Sequence, residues 1–319
     1  MTKDELLILE RHLSSIHFTI PTRAIMELMS AVGTWMSNCD CGSIIYGRPR
    51  VGKTRAIIYI TNELKKIYGN ELPIYVLNAT DHTVSDKFFY SEMLKAVGCP
   101  EVHKGTVLML KERLLNTLAA TALDTKYKKI VLFIDEAYLL HEKDFVWLMD
   151  IYNNLNLFDI QFTVFMFGSY ELKQVKTHFC ATKKLQIVGR FMVEEFKFEG
   201  ISSPKDAFVC LLNMDRPLRN YHNNEVILTE SFFPDAYKDG KRLAKCDLML
   251  WSAFSKVIQE KSLHENDIPM KYMMSAITYC LRTYGSYGKG IYFPDESAWM
   301  DSVINSGYLK AMIGLGADR

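Results

Sequence analysis

The sequence has 319 residues, of which 49% are apolar and 24% are charged, and this ordinary globular composition excludes an intrinsically disordered chain. Its 38 basic and 37 acidic residues nearly cancel. This balance excludes a strongly basic tail as the means of holding nucleic acid, so any such partner must be bound by local patches. At about 100–200 residues per domain, the length favours two domains.

The cysteines and the N-terminal segment bear on the cellular compartment. The seven cysteines contain no C-x-x-C pair, and charges interrupt the apolar positions of the N-terminal segment, which therefore does not resemble a signal peptide. No apolar run approaches the roughly 18 uncharged residues that a membrane-spanning helix needs. We therefore expect reduced thiols and a cytoplasmic protein with no membrane partner.

Helical and strand-like hydrophobic periods alternate along the first 200 residues. In chain order, the patterns predict a helix at 22–37, a strand at 43–46, a helix at 53–68, a strand at 73–78, helices at 85–97 and 106–118, a strand at 130–134, a helix at 145–155, and strands at 162–167 and 193–198. This alternation predicts an α/β core in which helices flank a parallel sheet. We expect the third, first and fourth strands to adjoin in that order.

The alternation ends near residue 200. Helices are predicted at 204–213, 247–259 and 271–284, whereas the stretch 215–245 is polar and rich in turn residues. We therefore divide the chain into a helical N-terminal lead-in (1–42), an α/β core (43–200) and a mainly helical C-terminal part (201–319).

The strongest motif is GRPRVGKT at 47–54, which fits the phosphate-loop pattern G-x-x-x-x-G-K-[ST] between a predicted strand and a predicted helix. Glycines let the backbone fold around phosphate oxygens, and the following helix adds its positive N-terminal dipole. Lys53 is suited to neutralise the β and γ phosphates of ATP, and the Thr54 hydroxyl is suited to bind Mg²⁺. The predicted ATP-binding residues are Gly47, Arg48, Pro49, Arg50, Val51, Gly52, Lys53, Thr54 and Arg55.

A pair of carboxylates follows the buried strand predicted at 130–134. In an open α/β sheet, ligands bind beyond the carboxyl ends of the strands, where Asp135 and Glu136 are expected. Asp135 is suited to hold Mg²⁺ through its water shell, and Glu136 to orient the attacking water or take its proton. The alternative is an acidic N-cap pair for the next helix. A glutamate directly after the aspartate favours hydrolysis over transfer to a small-molecule acceptor.

Three further residues are candidates for the same chemistry. Ser169, after the strand predicted at 162–167, either hydrogen-bonds the water or the γ phosphate or is a turn serine. Arg190, just before the last strand, either projects into a neighbouring subunit's nucleotide or is a surface arginine. Lys271, at the start of a predicted helix, either reaches a phosphate or is solvated.

In this order and spacing, GRPRVGKT, IVLFIDEA, FMFGS and IVGRF resemble the AAA+ ATPases of the transposition-regulator group (TnsC/TniB type). The resemblance covers about residues 20–200, and the arginines inside and after the loop point to this group. Tyr138 departs from the glutamine that often follows the DEA trio.

The resemblance implies an AAA+ P-loop core with a helical C-terminal lid, and an ATP-dependent homo-oligomer, a ring or a helical filament, that wraps duplex DNA. It also implies a transposase and a target-selector protein as partners. Lys53, Thr54, Asp135 and Glu136 carry over as site residues, and Ser169 and Arg190 carry over with them. Lys104 and Thr106 lie ahead of a helix in the region where this group tends to touch DNA.

Two other functions fit the same motifs. An AAA+ helicase loader or origin-recognition factor would need a partner-binding N-terminal extension or a winged-helix domain, and the C-terminal 119 residues contain no clear pattern for one. A small-molecule P-loop kinase would be monomeric or dimeric and would have no use for Arg190 in a neighbouring subunit.

Overall fold

The computed structural model describes residues 19–219, 225–260 and 267–316, so the first 18 residues of the predicted lead-in lie outside the described residues. The chain forms two compact units. The sheet unit contains Glu27–Pro49 and Ala56–Phe198. The helical unit contains Arg50–Arg55, the described residues up to Met26 and those from Glu199 onward. The predicted three-part division of the chain stays a prediction.

The elements of the first 198 residues alternate as the sequence predicts. The strands are β1 (Gly42–Tyr46), β2 (Ile74–Asn78), β3 (Lys129–Asp135), β4 (Gln161–Gly168) and β5 (Glu194–Lys197). The helices are α1 (Arg23–Ser37), α2 (Lys53–Tyr68), α3 (Asp86–Ala96), α4 (Val107–Leu123), α5 (Glu142–Asn156), α6 (Tyr170–Ala181) and α7 (Leu185–Phe191). Of these, α6 and α7 were not predicted.

The five strands form one parallel sheet in the order β2-β3-β4-β1-β5. A parallel sheet flanked by helices confirms the predicted fold class. The predicted adjacency of the third and first strands is wrong, because β4 lies between them. Its eight residues are almost all fully buried, which suits a strand that is paired on both sides and covered on both faces.

Aromatic side chains from neighbouring strands fill one face of the sheet. The rings of Phe133 and Phe165 lie 5.4 Å apart between centroids, and those of Phe133 and Phe167 lie 6.1 Å apart. Helix α1 adds Trp35, whose ring lies 6.0 Å from Phe165 and whose indole N–H donates to Glu194 Oε2 over 3.2 Å. The apolar stripe of α1 therefore fixes that helix against the sheet.

The helical unit begins with α8 (Pro204–Leu212) and a short hairpin of β6 (Leu218–Arg219) and β7 (Glu225–Val226). The helices that follow are α9 (Leu228–Phe232), α10 (Pro234–Lys238), α11 (Asp247–Glu260), α12 (Met270–Tyr284), α13 (Glu296–Asn305) and α14 (Tyr308–Gly316). Their core includes fully buried large side chains such as Phe232, Phe233, Phe254, Trp299 and Tyr308.

The stretch 215–245, which looks polar in sequence, supplies part of this core. The carboxylate of Asp215 accepts hydrogen bonds from the backbone N–H groups of Leu243 (3.0 Å) and Ala244 (2.8 Å). One carboxylate thus joins the turn at Asp215 to the 3₁₀ turn Leu243–Cys246, and Phe232 and Phe233, which lie between them in sequence, are buried. Within the described residues, none of the helices is long and apolar enough to cross a membrane.

Candidate functional site

The carboxyl ends of β3, β4 and β1 lie side by side at one edge of the sheet. Ile134 of β3 pairs with Met166 of β4, and Tyr46 of β1 pairs with Gly168 at the other side of β4. The next residue, Gly47, donates its N–H to the Gly168 carbonyl over 3.2 Å. The fold therefore brings the start of the phosphate loop, the end of β3 with Asp135, and Ser169 to the same edge.

The backbone at position 47 lies so close to the backbone of Phe198 that only glycine fits there. A Cβ atom at this position would lie 2.2 Å from the carbonyl oxygen of Phe198, a distance that no side chain tolerates. The approach is produced by pairing of β1 with β5, after which Phe198 N–H donates to the Tyr46 carbonyl over 2.8 Å. The first glycine of the motif thus has a packing reason beside its place in the loop.

The rest of the loop contains two residues in the left-handed region, Arg50 with φ of 67° and Gly52 with φ of 113°. Loops that alternate in this way form concavities lined by backbone N–H groups, which bind anions. The positive φ of Arg50 could not be read from the sequence, because arginine seldom adopts it.

Lys53 is the first residue of α2 and is only 7% exposed. A buried cation at a helix N-terminus is unfavourable for the helix, and the first turn of α2 contains no acidic residue. This placement suits a bound polyanion better than it suits helix stability. Thr54 is exposed beside Lys53, and burial lowers the pKa of the neighbouring Arg55. These residues therefore fit a nucleotide phosphate and its Mg²⁺.

Asp135 and Glu136 differ in their surroundings. Asp135 is 4% exposed, and its Oδ1 accepts a hydrogen bond from Glu136 N–H over 3.0 Å. Glu136 has a left-handed φ of 53° and precedes the 3₁₀ turn Ala137–Leu139. The backbone turn that begins at Glu136 separates it from the ladder that holds Asp135. The two adjacent carboxylates are therefore suited to different tasks.

From the sequence, no site role was assigned to Tyr138, which lies beside the acidic pair, or to Glu171, whose charge acts on Tyr138. Burial raises the pKa of the Tyr138 hydroxyl, and Glu136 raises it further through its charge and through a hydrogen bond. The charge of Glu171 acts on Tyr138 in the same direction. Tyr138 thus contacts the predicted catalytic carboxylate. The sequence signal for this contact was the position of Tyr138 directly after the DEA trio.

Ser169 has the local role that the turn-serine alternative describes. It is the N-cap of α6, where its Oγ accepts from Glu171 N–H over 3.3 Å and donates to Glu171 Oε2 over 2.7 Å. The cap places the hydroxyl at the edge that also bears Asp135. Both expectations for Ser169 are thus compatible with its position.

Arg190 lies in α7, near the opposite edge of the sheet. The adjoining Phe191 backbone packs against Gly42, the first residue of β1, where a Cβ would be 3.1 Å from Phe191 Cα. Gly47 follows the other end of β1, about 17 Å away at the usual rise of a strand. The fold therefore does not bring Arg190 together with the loop start, Asp135 and Ser169 of the same chain.

The predicted DNA contacts and the basic clusters have local partners. Thr106 is the N-cap of α4 and accepts from Met109 N–H over 3.4 Å. Lys104 pairs with Glu101 over 3.2 Å. Lysines that lie in small basic clusters of the sequence also meet carboxylates: Lys111 meets Asp150, Lys176 meets Glu195 and Lys184 meets Glu142. A single chain therefore presents less positive charge at these patches than the sequence indicates.

Comparison with known proteins agrees with this geometry. Residues 40–175 match the family model described as AAA domain. Comparison with the sequences of curated proteins found no match.

Among solved structures, the ORC2 protein of Aeropyrum pernix, determined as ADPNP and ADP complexes, has a TM-score of 0.62 at 12% identity. The similarity covers 93% of this chain and 71% of that chain. Cdc6p from Pyrobaculum aerophilum gives a TM-score of 0.44 at 14% identity, with 94% and 86% covered. AMPPCP-bound DnaA from Aquifex aeolicus gives 0.40 at 14% identity, with 95% and 91% covered. At these identities the likeness concerns the fold, and it is substantial only for ORC2.

The family match covers the phosphate loop, the acidic pair and Ser169, and its limits enclose β1 to β4. Over residues 40–175 the chain is therefore similar to AAA-type P-loop ATPases.

Proposed function

We propose that the chain is an ATP-hydrolysing switch of the origin-recognition and helicase-loader type, which assembles on duplex DNA as a homo-oligomer. The observation that carries the proposal is the alignment of the loop start, Asp135 and Ser169 at one edge of the sheet. The fold likeness to ORC2 supports the initiator type over other DNA-directed functions.

In this proposal each residue of the site has one role. The backbone of residues 47–52 and the Lys53 ammonium bind the phosphates of ATP, with Arg48 and Arg55 beside them. Thr54 and Asp135 hold Mg²⁺, which supplies positive charge to the phosphate oxygens when bound. Glu136 orients the attacking water and accepts its proton, and the hydroxyl of Tyr138 fixes the Glu136 carboxylate.

The position of Arg190 supports an oligomer. Since the arginine lies at the edge of the sheet opposite to Gly47, its positive charge is useful to hydrolysis only at the site of a neighbouring subunit. Assembly then completes each site, and modest DNA-binding surfaces are repeated along the oligomer. This arrangement suits a chain with a net charge of +1, which needs several copies to hold DNA firmly.

The transposition-regulator role remains a second candidate, with a transposase and a target-selector protein as partners. It is favoured by the sequence resemblance of the four motifs, whereas the fold likeness favours the initiator type. The small-molecule kinase is the least favoured, because a kinase gives no role to Arg190 at the far edge of the sheet.

The test compares retention of a labelled duplex by the wild type and two variants, with ATP, with ADP and without nucleotide. Glu136→Gln should bind ATP without cleaving it, so we expect it to retain more duplex with ATP than the wild type does. Lys53→Ala should retain no more with ATP than without it. If Glu136→Gln with ATP retained no more duplex than the wild type, the switch would be wrong.

Two further measurements separate the candidate functions. Release of inorganic phosphate without any added acceptor supports an ATPase and contradicts a kinase. Specific binding to the replicative helicase of the same organism supports the loader type, whereas specific binding to a DDE transposase supports the regulator of transposition.

A further inference from the structure

The middle of the phosphate loop is attached to the amino end of α12 within the helical unit. The carbonyl of Arg50 accepts a hydrogen bond from Lys271 N–H over 3.2 Å. The Arg50 guanidinium donates from Nη1 to the Tyr272 hydroxyl over 3.0 Å, and its Cζ lies 6.0 Å from the centre of the Tyr272 ring. Main chain and side chain of one loop residue are thus both bound to consecutive residues of one helix.

This attachment occurs where the loop backbone is strained. An L-residue with a side chain adopts a φ of 67° only at an energetic cost, and such a conformation persists where its surroundings hold it. Glycine is the usual residue for a left-handed turn, and the chain has arginine instead. In this conformation both the carbonyl and the guanidinium of Arg50 contact α12.

Tyr272 is a rigid support for the arginine. Its side chain is 4% exposed, and its ring packs edge-on against that of Tyr308 with 5.7 Å between the centroids. Tyr308 is fully buried in the core of the helical unit. Because the tyrosine ring cannot move without disturbing that core, its hydroxyl presents a fixed acceptor to Arg50.

We propose that Tyr272 is a positioning residue for the phosphate loop, and that it keeps Arg50 in the left-handed conformation in which the loop receives phosphates. The proposal rests on the proposed function, since it takes the loop to bind ATP. The sequence offers the Lys271 side chain as a candidate ligand for a phosphate. In this proposal the Lys271 backbone holds the loop, whether or not its exposed side chain meets a phosphate.

The test is the change Tyr272→Phe, which removes the hydroxyl and keeps the buried ring. We expect the dissociation constant of a fluorescent ATP analogue to rise about 5- to 10-fold, as the loss of one hydrogen bond to a charged group allows. The matched control is Tyr279→Phe on the same helix, whose hydroxyl lies 3.4 Å from Asp301 Oδ2. Both variants lose one hydroxyl, and the control should bind the analogue as the wild type does.

A double-mutant cycle distinguishes a Tyr272 that positions the loop from a Tyr272 that only stabilises the fold. Arg50→Gly removes the side chain and makes the left-handed φ acceptable, so Tyr272→Phe should have no further effect on nucleotide binding in that background. Arg50→Ala, which keeps the strain and loses the contact, should weaken binding at least as much as Tyr272→Phe. If Tyr272→Phe lowers the melting temperature, its effect on binding alone is ambiguous. The Arg50 variants change the loop itself, so the cycle still tests the proposal.

The outcomes are distinct. If the wild type binds the analogue and Tyr272→Phe binds it equally well, the positioning role is wrong and the proposed function is unaffected. Equal weakening by Tyr272→Phe in the wild-type and Arg50→Gly backgrounds would also overturn it. A wild-type chain that binds no ATP analogue would overturn the proposed function, and the positioning role with it.

Discussion

The guanidinium of Arg190 lies over the aromatic ring of Tyr152, with Cζ 5.3 Å from the ring centroid. The Tyr152 hydroxyl in turn accepts from the Cys41 thiol over 3.3 Å, and Cys41 directly precedes β1. These contacts fix the arginine near the amino edge of the sheet. The interaction with Cys41 and burial raise the pKa of Tyr152, whereas the charge of Arg190 opposes the rise.

The first prediction concerns Arg190 as the contribution of a neighbouring subunit. Arg190→Ala should lower the ATPase rate of the oligomer at least about 100-fold, because the transition-state charge loses its cation. Lys53→Ala should also be inactive. Mixing the two variants should restore part of the turnover, since some interfaces then pair an intact loop with an intact arginine. Turnover no higher in the mixture than in the separate variants would contradict a shared site.

The second prediction separates the two roles of Ser169. Ser169→Ala should destabilise the fold by about 1 kcal/mol, because it removes the N-cap of α6. Ser169→Asn keeps a capping side chain and should restore most of that stability in urea unfolding. If the hydroxyl also contacts the nucleotide or the water, the asparagine variant will still hydrolyse ATP more slowly than the wild type. Full activity in a stable asparagine variant would assign Ser169 to the cap alone.

The third prediction concerns the first glycine of the loop. Gly47→Ala places a Cβ against the Phe198 carbonyl and should cost about 2 kcal/mol or more, since backbone must move to make room. The matched control is Gly189→Ala in α7, where a Cβ meets nothing within 4 Å. This change should be neutral or stabilise by about 0.5–1 kcal/mol, as expected for alanine in a helix. Thermal unfolding of both variants measures the contrast, and equal melting temperatures would show that the Gly47 contact is relaxed.

The fourth prediction concerns the pH dependence of stability. The hydrogen bond from Lys176 lowers the pKa of Glu195, and the charges of Lys176 and Lys173 add to the effect against the opposing effect of burial. A carboxylate whose pKa is lowered by folding stabilises the protein above its unfolded pKa, and the contribution is lost as pH falls through the folded value. Glu195→Gln should therefore lower the melting temperature at pH 7, and the difference from the wild type should shrink towards pH 3.

The control for this prediction is Glu112→Gln, which changes an exposed glutamate on α4. Its melting temperature should follow that of the wild type across the same pH range. A Glu195→Gln difference that stays constant with pH would show that the ion pair contributes nothing to stability.

Much of the sheet unit follows from the sequence because its signals are local. Helix α2 has the predicted bounds to the residue, since the loop motif fixes its start and a glycine follows its end. The buried strands β1, β3 and β4 were found from short apolar runs. By contrast, α6 and α7 were missed because each buries only two side chains, so their apolar stripe is weak.

The features that were not predictable depend on contacts between distant residues. The sheet order follows from which strand edges pair, and an apolar run such as that of β4 does not specify its neighbours. Phe232 and Phe233 are buried in the core although the sequence around them is polar, and Asp215 joins turns that lie on either side of them in the sequence. The guanidinium of Arg50 likewise donates to Tyr272, which follows it by more than 200 residues in the sequence.

Gly168 and Tyr138 compete for one volume beside the acidic pair. A Cβ at Gly168 would lie 3.3 Å from Tyr138 Cδ1 and 3.1 Å from Leu172 Cβ. The aromatic ring at 138 therefore restricts which residues can end β4, and the restriction acts in both directions. A side chain at 168 would press on both Tyr138 and Leu172, and these neighbours must shift by a few tenths of an ångström to admit it. Because Tyr138 also contacts Glu136, a shift of its ring would pass the effect of a substitution at the end of β4 to the acidic pair.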